Sequence, residues 1–127
     1  MPEKSTPKIG TMVWCDLTVE NADDVRDFYA QVTGWQFTRH EMGEYEDYCM
    51  NPPGDDAPVA GICHAQGPNA NVPPQWLIYI TVENVEASIG RCVDLGGKIV
   101  DGPRTIGDKP FCVIQDPAGA VLAIIEA

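Results

Sequence analysis

An α+β fold built from two tandem βαβββ modules is what this 127-residue chain predicts. Three observations predict it. The tetrapeptide Thr18-Val19-Glu20-Asn21 recurs as Thr81-Val82-Glu83-Asn84, 63 positions later. The same offset runs without a gap through the next segment, carrying Val32 onto Leu95, Gly34 onto Gly97 and Phe37 onto Val100. Further on, Asn51-Pro52-Pro53-Gly54 is echoed by Asp116-Pro117-Ala118-Gly119 at an offset of 65, so only a loop-length change separates the two. A long period seen twice points to a duplicated half-domain, not a solenoid.

The elements follow in order. Met12–Val19 alternates and is rich in β-branched residues, so it reads as a strand. Asn21 stands where a helix N-cap is wanted, with Asp23 and Asp24 in the first turn, where carboxylates suit the positive helix end. Val25, Phe28, Tyr29 and Val32 recur at i, i+3, i+4 and i+7, which predicts one buried helical stripe. Gly34 supplies a left-handed stop. Three short strands are expected next, near Trp35–His40, Tyr45–Met50 and Val59–His64.

The second module repeats the plan. Leu77–Val82 is a strand and Asn84 a cap. Val85, Ile89, Cys92 and Val93 form the stripe, and Gly96-Gly97 the stop. Strands follow near Lys98–Val100, Phe111–Gln115 and Val121–Glu126. Module one thus covers residues 10–65 and module two 76–127 of a single domain, residues 1–127. Between them residues 66–75, with Pro68, Pro73 and Pro74, read as a linker of limited flexibility. One helix covers only one face of each sheet, so the other must meet the second half, a partner chain or a ligand.

Composition narrows the function. Acidic residues outnumber basic ones 19 to 8, a net charge of −11 that repels phosphate backbones and argues against nucleic acid as a partner. Such a surface favours solubility, or attracts cationic ligands. No apolar stretch is long enough to span a bilayer, so no membrane role is expected. The start, Met1–Thr6, is polar and lacks a signal-peptide core, which makes the cytoplasm the expected location. Five widely spaced cysteines without a Cys-x-x-Cys pair fit reduced thiols.

Phe28-Tyr29-Ala30-Gln31-Val32-Thr33-Gly34-Trp35 resembles the FYxxxLGW helix end common in the vicinal oxygen chelate superfamily, the glyoxalase, bleomycin-resistance and extradiol dioxygenase group. Asp116-Pro117-Ala118-Gly119 resembles its DPxG turn before the last strand. Trp14-Cys15-Asp16-Leu17 and Val59-Ala60-Gly61-Ile62 look more specifically like its glyoxalase-like hydroxylase and mycobacterial-antigen branch. The resemblance spans about residues 10–127. It implies two βαβββ modules curling into a cup-shaped mixed sheet with the helices outside, a small molecule bound in the cup, and a homodimer. Many members also hold a divalent metal, on side chains from the first and last strand of each module.

Aligned on the repeated valines, those four positions hold Trp14, Gly61, Leu77 and Ala123. None of them ligates a divalent ion in the usual way. No metal and no other cofactor is therefore expected, and metal-dependent family reactions are not implied. His40 and His64 offer no replacement, because alternation puts His64 on the face opposite Gly61 and Cys63.

The same alternation puts Trp14, Asp16 and Thr18 on the cup face of the first strand, and Leu77, Tyr79 and Thr81 on its counterpart. Candidate ligand-binding residues are Trp14, Asp16, Tyr79, Tyr48 and Cys63. Asp16 reads as an anion for a cationic ligand, as a general base, or as a carboxylate tied to backbone N–H groups or to Arg39 or Arg104. Trp14 and Tyr79 are suited to stacking on a planar or cationic molecule, or to plain core packing. Tyr48 and Tyr45 are placed at the rim, their facing open. Cys63 is a nucleophile or a structural thiol, with no histidine expected on its face. The Asp101–Gly107 segment reads as a surface loop or a lid. No catalytic residue is assigned. The leading expectation is a metal-independent protein that binds or sequesters a small organic molecule. A lyase, isomerase or dioxygenase-like enzyme of the same superfamily, and a dimeric interaction module with a filled cup, stay open beside it.

Overall fold

The computed structural model describes residues 7–127; the polar start Met1–Thr6, on which the expected location rests, lies outside the described residues. These residues form eight strands, two α-helices and one short 3-10 turn, Gly67–Asn69. They divide into two compact units.

The unit Trp14–Trp76 holds most of β1 (Met12–Val19), then α1 (Ala22–Thr33), β2 (Gln36–Glu41), β3 (Glu46–Asn51) and β4 (Ala60–His64). Its strands lie in the order β2-β3-β4-β1. β1 runs parallel to β4, and the other pairs are antiparallel. The other unit joins residues 7–13 to Leu77–Ala127. It holds most of β5 (Trp76–Val82), then α2 (Val85–Asp94), β6 (Lys98–Ile106), β7 (Lys109–Gln115) and β8 (Val121–Glu126), in the order β5-β8-β7-β6. β5 runs parallel to β8. Residues 7–13 belong here because Gly10 N–H donates to Thr81 O and Thr81 N–H donates to Thr11 O.

The two halves are thus the same βαβββ unit, and their registers agree. Asp16 pairs with Gly61 across β1 and β4; Tyr79, 63 positions after Asp16, pairs with Ala123 across β5 and β8. Each helix covers one face of its own sheet. Ala22 of α1 packs with Tyr48, Met50, Ala60 and Ile62 of the sheet, all buried. Val85 of α2 packs with Cys112 and Ile124 of the sheet.

Several local expectations are corrected. Phe28 and Val32 belong to no buried stripe: they are 57% and 64% exposed, as is Val93 at 55%. The face of α1 that meets the sheet is centred on Ala22 and Tyr29. At about 100° per residue Phe28 and Val32 are turned roughly 80–120° away from it. Asn21 precedes α1 but its side chain makes no capping bond, whereas Asn84 Oδ1 accepts from Ala87 N–H at 2.8 Å. Gly34 does end α1 in the left-handed region, with φ 80° and its N–H donating to Ala30 O. Most of the segment expected as a loop, Asp101–Gly107, is the second half of β6. Register shifts at Asp101 let that strand carry Pro103 and still pair Arg104 with Phe111. Among the described residues no helix is long and apolar enough to cross a membrane.

Candidate functional site

The helix-free face of the Trp14–Trp76 unit gathers three of the five candidate residues. Alternation in β1 sends Leu17 into the core and Trp14, Asp16 and Thr18 to the other side. Asp16 and Cys49 both stand level with Gly61, and Thr18 stands level with Cys63. The Trp14 indole lies across Gly61. A Cβ at position 61 would meet Trp14 Cζ2 at 3.4 Å, Trp14 Nε1 at 3.6 Å and Asp16 Cβ at 3.2 Å. Trp14 and Asp16 are half-buried.

Cys63 is half-buried beside them. Loss of water pushes its thiol far above the ordinary range, and the Asp16 and Asp47 carboxylates push it further. It stays a thiol at neutral pH, which weighs against a nucleophile. Sequence reasoning missed Asp47. This buried carboxylate accepts from His64 N–H at 2.8 Å and hydrogen-bonds the Cys63 side chain. Its signal was available: alternation through Glu46–Asn51 sets it on one face with Cys49.

Tyr48 stands on the opposite, helix-covered face, where it is buried among core residues. Its hydroxyl donates to Asp23 of α1. The Arg26 guanidinium lies 4.6 Å from the Tyr48 ring and 4.5 Å from that of Phe37. His64 is on this side too. Its Nδ1 is 2.6 Å from Glu46 O and its Nε2 3.4 Å from Asp23 Oδ1. His40 is exposed on β2. Tyr45 is half-buried, with its ring edge-on to that of His64 at 5.6 Å. Arg39 reaches Glu46 at 3.0 Å, and Arg104 reaches Asp101 at 2.8 Å.

In the other unit the corresponding face is apolar. Leu77, Tyr79, Thr81, Phe111, Val113 and Ala123 are all buried. Tyr79 leans on Phe111 with ring centroids 6.2 Å apart, and Arg104 covers the Phe111 ring at 4.6 Å. A surface cleft of about 350 Å³ opens in the first unit, lined by Thr18, Glu20, Asn21 and linker residues such as Val72; neither Trp14 nor Asp16 lines it.

A divalent ion does not fit the positions at which metal-using members carry ligands. In the first unit an indole fills the space above a glycine; in the second, Leu77 and Ala123 offer no donor atoms. Among the described residues no three His, Cys, Asp or Glu side chains are grouped to hold one elsewhere.

Comparison with known proteins agrees with the architecture. Residues 11–124 match the family profile of the Glyoxalase/Bleomycin resistance protein/Dioxygenase superfamily. The Mycobacterium tuberculosis protein named "Putative glyoxylase CFP32" is 28% identical over 118 residues, 92% of this chain and 44% of that protein. The anthracycline biosynthesis protein DnrV of Streptomyces peucetius is 26% identical over 117 residues, 92% of this chain and 42% of that protein. The chain therefore spans less than half the length of the curated relatives it matches. Among solved structures, BH1468 of Bacillus halodurans superposes with a TM-score of 0.59 at 13% identity, covering 94% of this chain and 96% of that one. A Streptomyces coelicolor methylmalonyl-CoA epimerase superposes with a TM-score of 0.58 at 14% identity, with the same coverages. At those identities the superpositions speak for the fold alone. The duplicated βαβββ unit and the profile match across almost the whole chain together make it a member of the glyoxalase/bleomycin resistance protein/dioxygenase superfamily.

Proposed function

We propose that this protein binds a small, partly aromatic or cationic organic molecule on the helix-free face of its sheets, without a metal ion. Trp14 and Asp16 of the first unit are its main contacts; Tyr79 holds the corresponding position of the second unit. The observation that carries the reading is the pairing of a half-buried indole with a neighbouring carboxylate where metal-using members need donor atoms. A carboxylate on such a face needs hydrogen bonds or a cation to offset its lost hydration. A ring face beside it adds roughly 0.5–2 kcal/mol for a bound cation. Binding or sequestration fits better than covalent catalysis by Cys63, because burial and the nearby carboxylates hold its thiol protonated. We place the protein in the cytoplasm and take its working form to be a homodimer. The helix-free face of each sheet supports that pairing, since a partner chain is one way to cover it.

The test is a thermal-shift screen of the pure protein against divalent metals and matched cationic and neutral aromatic compounds, followed by titration of Asp16→Asn. Ligands that bind the native state raise the melting temperature by mass action. The expected outcome is stabilisation by planar cations. Asp16→Asn then weakens the cationic compound by about tenfold or more and the neutral analogue little. A melting temperature that falls sharply in Asp16→Asn, with ligand affinity unchanged, makes Asp16 structural and overturns this assignment.

A further inference from the structure

Gly61 is not explained by its backbone. Of the chain's 12 glycines, nine have φ in the left-handed region, where a side chain is strained, but Gly61 does not. It sits inside β4, paired to β1 on one side and β3 on the other. Glycine weakens a strand interior, so a glycine here marks a close approach by something else. The approaching groups are Asp16 and Trp14. A Cβ at position 61 would stand 3.4 Å from Cζ2 and 3.6 Å from Nε1 of the indole, and 3.2 Å from Asp16 Cβ. The Asp16 contact is tight enough that Ala needs a shift of a few tenths of an ångström, whereas the indole contacts are ordinary for a Cβ and press only on a side chain that extends beyond it.

We infer that Gly61 is the positioning residue for Trp14, and that it thereby selects a flat organic ring as ligand. The absent side chain lets the indole lie down on the sheet beside Asp16, with part of the ring still open to a second ring. The two positions compete: a carboxylate, amide or imidazole at 61 has to extend past its Cβ into space bounded by the indole and by Asp16. The module therefore holds either a stacking platform or a metal-ligating side chain at 61, and in this chain the platform has the place. The selection of a ring rests on the binding function proposed above; the coupling of Gly61 to Trp14 stands on the geometry alone.

The experiment keeps the two apart. The three tryptophans, Trp14, Trp35 and Trp76, are labelled with 5-fluorotryptophan and give separate ¹⁹F resonances, with Trp14 assigned by Trp14→Phe. Gly61→Ala is expected to shift the Trp14 resonance, and Gly61→Val to shift it further. The Trp35 and Trp76 resonances stay in place as the internal check of folding. Proflavine, a planar cation, is titrated as probe, with the non-planar cation cyclohexylammonium as control. Proflavine affinity is expected to fall roughly three- to thirtyfold along the series, the worth of one ring contact, while cyclohexylammonium changes little. A Trp14 resonance indifferent to both substitutions, or an unchanged proflavine affinity when that resonance moves, overturns this inference. Wild-type protein whose Trp14 resonance ignores proflavine sinks the binding reading and with it the selection of a ring.

Discussion

Cys63 and Cys112 show how residue surroundings set reactivity. Burial is the first cause at both. The second is a nearby carboxylate, Asp16 at Cys63 and Asp101 at Cys112, whose thiol is pushed up to about 11. At pH 8 a thiol with that value is ionised at roughly one part in a thousand, and the thiolate is the nucleophile. Alkylation by iodoacetamide at pH 8, followed by peptide mass spectrometry, should find both cysteines at least about tenfold slower in native than in urea-unfolded protein. Equal rates would mean that neither site excludes water as the packing suggests. Asp23 shows the opposite shift. The Tyr48 hydroxyl donates to it, and His64, Arg26 and Arg39 add to the effect, so its carboxyl lies below the ordinary value. A depressed carboxyl contributes stability above its unfolded value and loses it as pH falls through the folded value. Tyr48→Phe should therefore lower the melting temperature near neutral pH, and that deficit should shrink on acidification below about pH 4. A deficit that holds constant down to pH 2 would assign the effect to packing instead of to the Asp23 contact.

At the scale of elements, the duplicated Asn before each helix is an internal control. Asn84 accepts the Ala87 N–H; Asn21, at the equivalent place, makes no such bond. Asn84→Ala should cost about 1 kcal/mol in urea unfolding, and Asn21→Ala a few tenths at most. Equal losses would mean that the two caps work alike in solution. This pair also marks what the sequence makes legible. Repeat, helices and strands follow from periodicity and offset, because a strand's alternation and a helix's turn are local. The facing of Phe28 and Val32 does not follow, since an apolar i, i+3, i+4 pattern fits more than one rotation of the helix. Burial on the sheet selects the one centred on Ala22 and Tyr29. Pro103 hid the second half of β6, because the irregular register that accommodates a proline in a strand carries no local signal. At the site, Trp14, Asp16 and Cys63 share a face as alternation dictates. Tyr48 was unassigned because the bounds of β3 decide its side. The role of Asp47 depends on a contact with β4, which sequence spacing alone does not specify.

For the whole molecule the dominant quantity is a net charge of −11 on 127 residues. The proposed homodimer must bring two such charges together. A stable standard interface buries at least about 1,200 Å² in total, enough apolar contact to hold two copies at micromolar concentration. Like charges oppose it over the Debye length, which shortens from roughly 14 Å at 0.05 M salt to about 4 Å at 0.5 M. Apolar burial is not weakened by that change, so added salt removes the opposing effect and leaves the favourable one. Sedimentation equilibrium across this range should show a monomer–dimer equilibrium whose association constant rises at least about threefold with salt. A monomer at every salt concentration would remove the dimer from the proposal. Association that weakens as salt rises would mean that opposite charges meet at the interface, and would overturn a dimer held by apolar burial.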